Sequence, residues 1–134
     1  MKSNDDTPRK GDETASGPLD GIRVVDLSRL VAGNQLTMLL ADFGAEVIKV
    51  EQPGQGDPLR HWRIGGEPLH WEVYGRNKKS VTLDLKSSEG REALLRLAAD
   101  ADVLVESAKE INPGAVTVVI PEEDVYILKG DKRS

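Results

Sequence analysis

The chain has 134 residues, of which 38% are hydrophobic and 4% aromatic, and it carries a formal net charge of −5 at pH 7. This length allows one domain with a modest core, and the acidic balance argues against general nucleic-acid binding, which needs a basic face. The absence of cysteine excludes disulfides, zinc–thiolate sites and cysteine nucleophiles, and it leaves the redox compartment open. No apolar run is long enough to span a bilayer, and the first residues lack the apolar segment of a secretory signal. We therefore expect a cytoplasmic protein without a membrane partner.

Residues 1–17 contain a single apolar residue, an alanine, after the initiator methionine. Such a segment cannot bury enough surface to offset the entropy of ordering it, so we predict a disordered leader. Order should begin at Pro18. The run RVVDL, from Arg23 to Leu27, then predicts a short buried strand.

An amphipathic helix is predicted after the loop at residues 28–33. Apolar residues recur at the i, i+3, i+4 and i+7 positions of one helical face, namely Leu36, Leu39, Leu40 and Phe43. Asn34 is a candidate N-cap, and Gly44 stands where a left-handed residue would end the helix. The run from Glu46 to Val50 predicts the next strand, and a β-α-β unit places its two strands parallel and adjacent.

The segment from Gln52 to Arg76 is rich in glycine and proline and is predicted to be a long loop. A loop of that length inside a compact domain usually has a functional or covering role. Its Trp71 and Tyr74 could stack on a nucleotide base, but anchoring of the loop to the core is the favoured interpretation.

The second half of the sequence continues the alternation of strands and helices. Ser80 to Leu85 predicts a third strand, and Ser87 or Ser88 can cap a second helix, whose apolar stripe is Leu94, Leu97, Ala98 and Ala101. Further strands are predicted at residues 103–105, 115–120 and 124–128, before a polar tail at 129–134. The segment from Val116 to Ile120 would be an aggregation risk as an edge strand. Residues 18–128 are thus predicted to form one α/β, Rossmann-like domain with a mostly parallel sheet and flanking helices.

Ligands of open parallel sheets bind at the carboxyl ends of the strands. The loop SRLVAG, at residues 28–33, follows the first strand there, and its backbone N–H groups could meet a phosphate or a carbonyl. An ordinary β-α turn explains the same sequence equally well, and the three-glycine dinucleotide fingerprint is absent.

Charged residues form two local cationic clusters. One comprises Arg76, Lys78, Lys79 and Lys86, and the other comprises Arg60, His61 and Arg63. They suit a polyanionic small molecule, although a solvated basic surface is the more common meaning of such runs.

Candidate catalytic and metal-binding groups are few. The two histidines, His61 and His70, form no known metal-binding pattern, so we expect no metal. The strand-end carboxylates Asp26 and Glu51 could be catalytic. Glu51 has a structural alternative, in which it pairs with Lys49, Arg60 or a backbone donor.

Three runs of the sequence together resemble the N-terminal part of the family III CoA-transferases of the CaiB/BaiF type. They are PLDGIRVVDLSRLVAG, TMLLADFGAEVIKVEQPGQGDPLR and RNKKSVTLDLKSSEGREALLRLAADADVLVE, and they cover residues 18–106. The pieces D-x-G-A-x-V-I-K-V-E-x-P and N-K-[KR]-S-V-x-L-D-L-K, in this order, are highly specific. The family includes formyl-CoA transferase, carnitine CoA-transferase and alpha-methylacyl-CoA racemase.

The resemblance implies a Rossmann-like domain that binds coenzyme A or an acyl-CoA as substrate, in an interlocked dimer. The family reaction moves CoA between carboxylic acids through anhydride and thioester intermediates on an aspartate, and the racemase branch exchanges an α-proton. That aspartate lies past the V-L-V-E motif, in a segment that this chain does not reach. We therefore expect a truncated member that is inactive alone and is completed by a second copy or a partner chain. The alternatives are a non-enzymatic acyl-CoA-binding or protein-interaction module and a purely structural fragment.

The resemblance also implies a set of coenzyme A contacts in this chain: Val31, Ala32, Gln52, Leu83, Asp84, Leu85, Lys86 and Ser107. Backbone groups of Leu83 to Leu85 would face the adenine or pantetheine, with Lys86 near phosphate. Two positions depart from the family pattern. Gln52 stands where many members have arginine, and Ser107 stands where members usually have asparagine.

Overall fold

The computed structural model describes residues 17–108 and 115–119. The elements are β1 (Arg23–Asp26), α1 (Ala32–Asp42), β2 (Glu46–Glu51), a 3₁₀ turn (Pro58–His61), α2 (Leu69–Tyr74), β3 (Lys78–Thr82), α3 (Ser88–Ala99), β4 (Val103–Ala108) and β5 (Ala115–Val119). The predicted strand at 124–128, the polar tail and all of the predicted leader except Gly17 lie outside the described residues. No described helix has the length and apolar character needed to cross a membrane.

The five strands form one sheet in the order β3-β2-β1-β4-β5. The first four are mutually parallel, and β5 runs antiparallel to β4. This arrangement confirms the predicted α/β fold with a mostly parallel sheet and a β-α-β unit. Ala115–Val119 forms an edge strand, while the aggregation risk assigned to it stays a prediction.

The core lies around the central strand β1, in which Val24 and Val25 are fully buried. A cluster of Val24, Ala41, Ala45, Val47 and Val105 joins α1 to three strands. The predicted face of α1 is wrong in part, because Leu39 and Phe43 are 45% and 53% exposed. The buried face instead carries Gly33, Asn34, Thr37, Met38 and Ala41. This face brings Asn34 and Thr37 to buried carboxylates, whose hydrogen bonds must be satisfied.

The two ends of α1 test the predicted caps. Asn34 is not the N-cap, because the helix begins one turn earlier, with Val31 at the capping position. At the other end Gly44 has a φ of +103°. Its N–H donates to the Ala41 carbonyl, and the Ala45 N–H donates to the Leu40 carbonyl. This is a Schellman motif, so the predicted glycine stop is confirmed.

The third strand ends earlier than predicted. It spans Lys78–Thr82, and residues 83–86 form a turn before α3. The Asp84 carboxylate accepts from the Lys86 N–H at 3.0 Å, and this Asx-type turn directs the chain away from the sheet. The predicted cap of the next helix is confirmed for Ser87, whose Oγ accepts from the Gly90 N–H.

The segment at 52–76 is not wholly a loop, since it contains the 3₁₀ turn and α2. The Arg60 guanidinium lies 4.0 Å from the ring centroid of Trp71. This cation–π contact ties α2 to the 3₁₀ turn. Trp71 therefore stacks within its own segment, which differs from both sequence-based interpretations of this residue.

Candidate functional site

A cleft of about 450 Å³ opens at the carboxyl ends of three neighbouring strands. Its walls are residues 27–29 after β1, residues 50–53 with Gly56 and Asp57 around the end of β2, and residues 83–86 after β3. This is the edge of a parallel sheet at which α/β proteins bind ligands.

The cleft brings together five of the eight predicted coenzyme A contacts, namely Gln52, Leu83, Asp84, Leu85 and Lys86. Val31 and Ala32 are not among its lining residues, and they lie at the start of α1 just past the β1 loop. Ser107 lies in β4, where it pairs with Val116 of β5, and its side chain is outside the description.

The turn at residues 83–86 is fixed from two directions. Asp84 accepts from the Lys86 N–H, and Arg91 donates through Nη1 to the Lys86 carbonyl at 2.8 Å. Gly90 allows α3 to approach closely, because a Cβ there would clash with the Asp84 carbonyl. Lys86 is thereby held in the cleft wall with its side chain exposed. In the described part of the chain, no carboxylate pairs with its ammonium group.

Glu51 lines the cleft but is occupied by donors of the protein. Arg60 binds both of its carboxylate oxygens, each at 2.8 Å, and the Ser80 hydroxyl and the Asp57 N–H also donate to it. Burial would raise the pKa of Glu51, but the hydrogen bonds from Arg60, Ser80 and Asp57 outweigh it and lower the pKa to about 2. The structural alternative is therefore confirmed for Arg60 and a backbone donor, whereas Lys49 bonds elsewhere.

Four buried charges lie behind the cleft. The Lys49 Nζ is 3.1 Å from Asp57 Oδ2 and 3.5 Å from Asp26 Oδ1, and the Lys78 Nζ is 3.4 Å from Asp26 Oδ2. All four side chains are 2% exposed or less. Asp26 also accepts from the Ser28 N–H, the Ser28 hydroxyl and the Thr37 hydroxyl. Buried ions need such pairing to offset their lost hydration.

Lys78 differs from an ordinary surface lysine. Burial lowers its pKa to about 8; the negative charge of Asp26 opposes this shift, and the positive charge of Lys49 adds to it. Its ammonium group also donates to the carbonyl of Asn34 at 2.9 Å. Lys78 is therefore neither solvated nor facing the cleft. It is part neither of a solvated basic surface nor of a cluster that faces a polyanion, the two interpretations of its cluster.

Four other members of the cationic clusters also have partners. Arg76 binds Asp42 through two nitrogens, and Lys79 lies 2.6 Å from Glu46. Arg60 binds Glu51, and the His61 ring contacts the Gln55 carbonyl at 3.0 Å. Of the first cluster, Lys86 lines the cleft, where Arg29 of the β1 loop joins it.

Sequence reasoning missed Arg29, the buried pairing of Lys49 and the role of Asp57. A signal for Lys49 was present in EVIKVE, because a lysine inside an otherwise buried strand requires a partner. Asp57 follows Gly56 in a loop, and its burial depends on contacts distant in sequence. No pattern in the sequence identified it.

The arrangement suits binding better than acid–base chemistry. Among the described residues, the three carboxylates near the cleft floor, Asp26, Glu51 and Asp57, are all engaged by internal donors. The cleft offers two cationic side chains and the backbone groups of a fixed turn to an anionic ligand. The described residues contain no group of three acidic or histidine side chains placed to hold a metal, and the metal-free expectation stays a prediction.

Comparison with known proteins gives matches to one family. A family model described as CoA-transferase family III matches residues 19–116. A succinyl-CoA–D-citramalate CoA-transferase of Chloroflexus aurantiacus is 50% identical over 93 residues, covering 67% of this chain and 23% of the relative. A succinyl-CoA:glutarate CoA-transferase of Homo sapiens is 45% identical over 93 residues, covering 67% and 21%.

A solved structure is similar as well. A CaiB/BaiF family protein from Brucella suis is 42% identical and gives a TM-score of 0.65, covering 71% of this chain and 27% of that one. The chain spans less than a quarter of the length of both curated relatives.

Proposed function

The chain belongs to the CoA-transferase family III, and on that premise we propose that its cleft binds coenzyme A or an acyl-CoA. The observation that carries this proposal is the exposed Lys86 in the wall of a cleft at the carboxyl edge of the sheet. Coenzyme A is a polyanion, and an ammonium group that has no carboxylate partner among the described residues suits its phosphates.

Each wall of the cleft has a proposed role in this complex. Lys86 and Arg29 bind phosphate oxygens, and backbone groups of Leu83 to Leu85 face the adenine or the pantetheine arm. Gln52 contributes a neutral amide to the same site, so the charge on this wall comes from Lys86 and Arg29. Val31, Ala32 and Ser107 remain proposed contacts for parts of the ligand that extend beyond the cleft.

We further propose that the chain associates with a second copy or with a partner chain, and that the transfer of CoA between carboxylic acids requires residues of a partner chain. Asp26 and Glu51 are committed to internal donors and are not assigned a catalytic step. Leu69 and Val73, 42% and 45% exposed, lie one turn apart on α2 and offer an apolar surface to such a partner. The names of the relatives suggest dicarboxylic acids as acyl groups.

Calorimetric titration of the full chain with coenzyme A tests the binding proposal. We expect micromolar affinity that weakens about five- to tenfold in Lys86→Ala, the effect of one lost charge-assisted contact. Lys79→Ala is the matched control, because Lys79 is an exposed lysine that pairs with Glu46 away from the cleft. No heat up to millimolar coenzyme A, from protein with a folded circular dichroism spectrum, would overturn the proposal.

Sedimentation of the purified chain tests the proposed association with a second copy. Fractionation of cells that express a tagged chain tests the predicted cytoplasmic location.

A further inference from the structure

We propose that Asp57 is a positioning residue, whose carboxylate holds the loop after β1 in the conformation that presents Ser28 and Arg29 to the ligand. This inference rests on the proposed binding of coenzyme A. Three observations carry it: the backbone of Leu30, the hydrogen bonds around Leu30, and the way in which Asp57 is itself held.

The loop contains a strained residue. Leu30 has a φ of +61°. This left-handed conformation is rare for a leucine, because its Cβ approaches the following carbonyl oxygen. A strained residue persists where surrounding contacts determine its conformation, and such residues concentrate at ligand sites.

Asp57 and Asn34 supply those contacts together. The Leu30 N–H donates to Asp57 Oδ1 at 3.2 Å, and the Leu30 carbonyl accepts from Asn34 Nδ2 at 2.5 Å. The same Asn34 nitrogen donates to Asp57 Oδ2 at 2.9 Å. One carboxylate therefore holds the Leu30 N–H directly and the Leu30 carbonyl through Asn34.

The anchor itself is rigid. The Asp57 side chain is 1% exposed, lies 3.1 Å from the Lys49 Nζ and accepts from the Leu59 N–H at 2.8 Å. Its own N–H donates to Glu51 Oε1. These contacts tie the loop after β1 to the end of β2, so the position of one cleft wall is set by the other.

The consequence for the ligand follows from chain geometry. Arg29 directly precedes Leu30 and lines the cleft, and Ser28 lies beside it with its carbonyl bound by Lys49. If Leu30 relaxed to a right-handed conformation, the peptide plane between Arg29 and Leu30 would rotate. The Arg29 backbone and side chain would then leave their place in the wall. Asp57 thus affects affinity through the loop as well as through the cleft it lines.

Coenzyme A titration of Asp57→Asn, Asn34→Ala and the double variant tests this role. Asp57→Asn keeps the shape of the side chain but replaces one acceptor oxygen with an NH₂ donor, which cannot accept from Lys49 or Asn34. We expect its Kd to rise at least tenfold and that of Asn34→Ala several-fold, with the double variant no weaker than the weaker-binding single one. The control is Val24→Ala, which removes buried volume from the core without removing a side-chain bond to Leu30 and should leave Kd within twofold.

The outcomes separate this inference from the proposed function. Absence of coenzyme A binding by the unaltered chain contradicts the proposed function. Wild-type affinity in folded Asp57→Asn, or multiplying effects in the double variant, contradicts the positioning role while the binding proposal stands. If Asp57→Asn does not fold, hydrogen exchange in the Asn34→Ala variant tests the positioning role. Its Leu30 amide must then exchange hydrogen faster than in Val24→Ala, and equal exchange overturns the inference.

Discussion

The guanidinium of Arg60 binds both oxygens of the Glu51 carboxylate, with Nε 2.8 Å from Oε1 and Nη2 2.8 Å from Oε2. Because Arg60 also lies over Trp71, this pair joins the end of β2 to the 3₁₀ turn and α2. The Glu51–Arg60 pair therefore fixes one side of the cleft, and its contribution to stability should depend on pH.

Replacement of Glu51 by glutamine should remove a pH-dependent part of the stability. The pKa of Glu51 is about 2 in the folded protein, below its ordinary value of 4.5. Its contribution is therefore present above pH 4.5 and is lost as the pH falls toward 2. Arg60 keeps 36% of its side chain exposed, so solvent screening reduces the expected loss in Glu51→Gln at pH 7 to about 1–2 kcal/mol.

Urea unfolding at pH 7 and at pH 3 measures this effect. The stability difference between the wild type and Glu51→Gln should shrink at the lower pH. Glu67→Gln, at an exposed carboxylate, is the control and should change little at either pH. A difference that stays constant from pH 7 to pH 3 would contradict the assigned pairing.

Lys78 should make the free energy of unfolding depend on pH in the alkaline range. Its pKa is about 8 in the folded protein and about 10.4 when unfolded, so between these values the unfolded state holds a proton that the folded state has released. Its contribution to the free energy of unfolding therefore rises with pH across that window. Relative to Lys78→Met, the wild type should gain on the order of 1–3 kcal/mol between pH 7.5 and pH 10.

Chemical unfolding at several pH values measures the gain. Lys79→Met is the control, since Lys79 is 72% exposed on the same strand. A wild-type advantage over Lys78→Met that falls as the pH rises would show that burial does not determine the protonation of Lys78.

The substitution Gly90→Ala distinguishes the effect of helix propensity on stability from the effect of packing. Propensity alone predicts that alanine stabilises a helix interior by roughly 1 kcal/mol relative to glycine. The added Cβ would clash with the Asp84 carbonyl and lie 3.0 Å from Ser87 Oγ, so we expect destabilisation of about 1–3 kcal/mol. The displaced turn should also bind coenzyme A less tightly. Thermal unfolding and calorimetry measure both effects, with Ser88→Ala at the start of the same helix as control, and a stabilised Gly90→Ala would contradict this packing.

Arg76→Ala should leave coenzyme A affinity unchanged within twofold. Arg76 was grouped with Lys86 by sequence, but it binds Asp42 and does not line the cleft. An exposed pair of this kind contributes about 0–1 kcal/mol to stability. Calorimetry of Arg76→Ala beside Lys86→Ala measures the contrast, and equal weakening in both variants would mean that the ligand spans the original cationic cluster.

Local patterns predicted the elements whose determinants lie within a few residues. The apolar run of β1, the β-α-β unit and the glycine stop at Gly44 are of this kind, and each is confirmed. The family resemblance is also confirmed, because its motifs lie in one continuous match.

Two of the errors arise where contacts distant in sequence decide the structure, and a third arises at a local turn. The orientation of α1 follows from the bond between Asn34 and Asp57, 23 residues apart, which apolar periodicity does not register. The early end of β3 follows from the turn made by Asp84, whose alternating neighbours still resemble a strand. Lys78 is buried because β3 places it against Asp26, 52 residues away. For α1 and for Lys78, the need to satisfy buried polar groups outweighed the local pattern.

The most direct test of the cleft as the ligand site is a titration of the isotope-labelled chain with coenzyme A, followed by amide chemical shifts. Binding in the cleft predicts that the largest changes fall on residues 28–29, Gln52 and residues 83–86. Changes confined to the opposite edge of the sheet, around residues 20–23 and Glu46, would place the ligand elsewhere and contradict the proposed site.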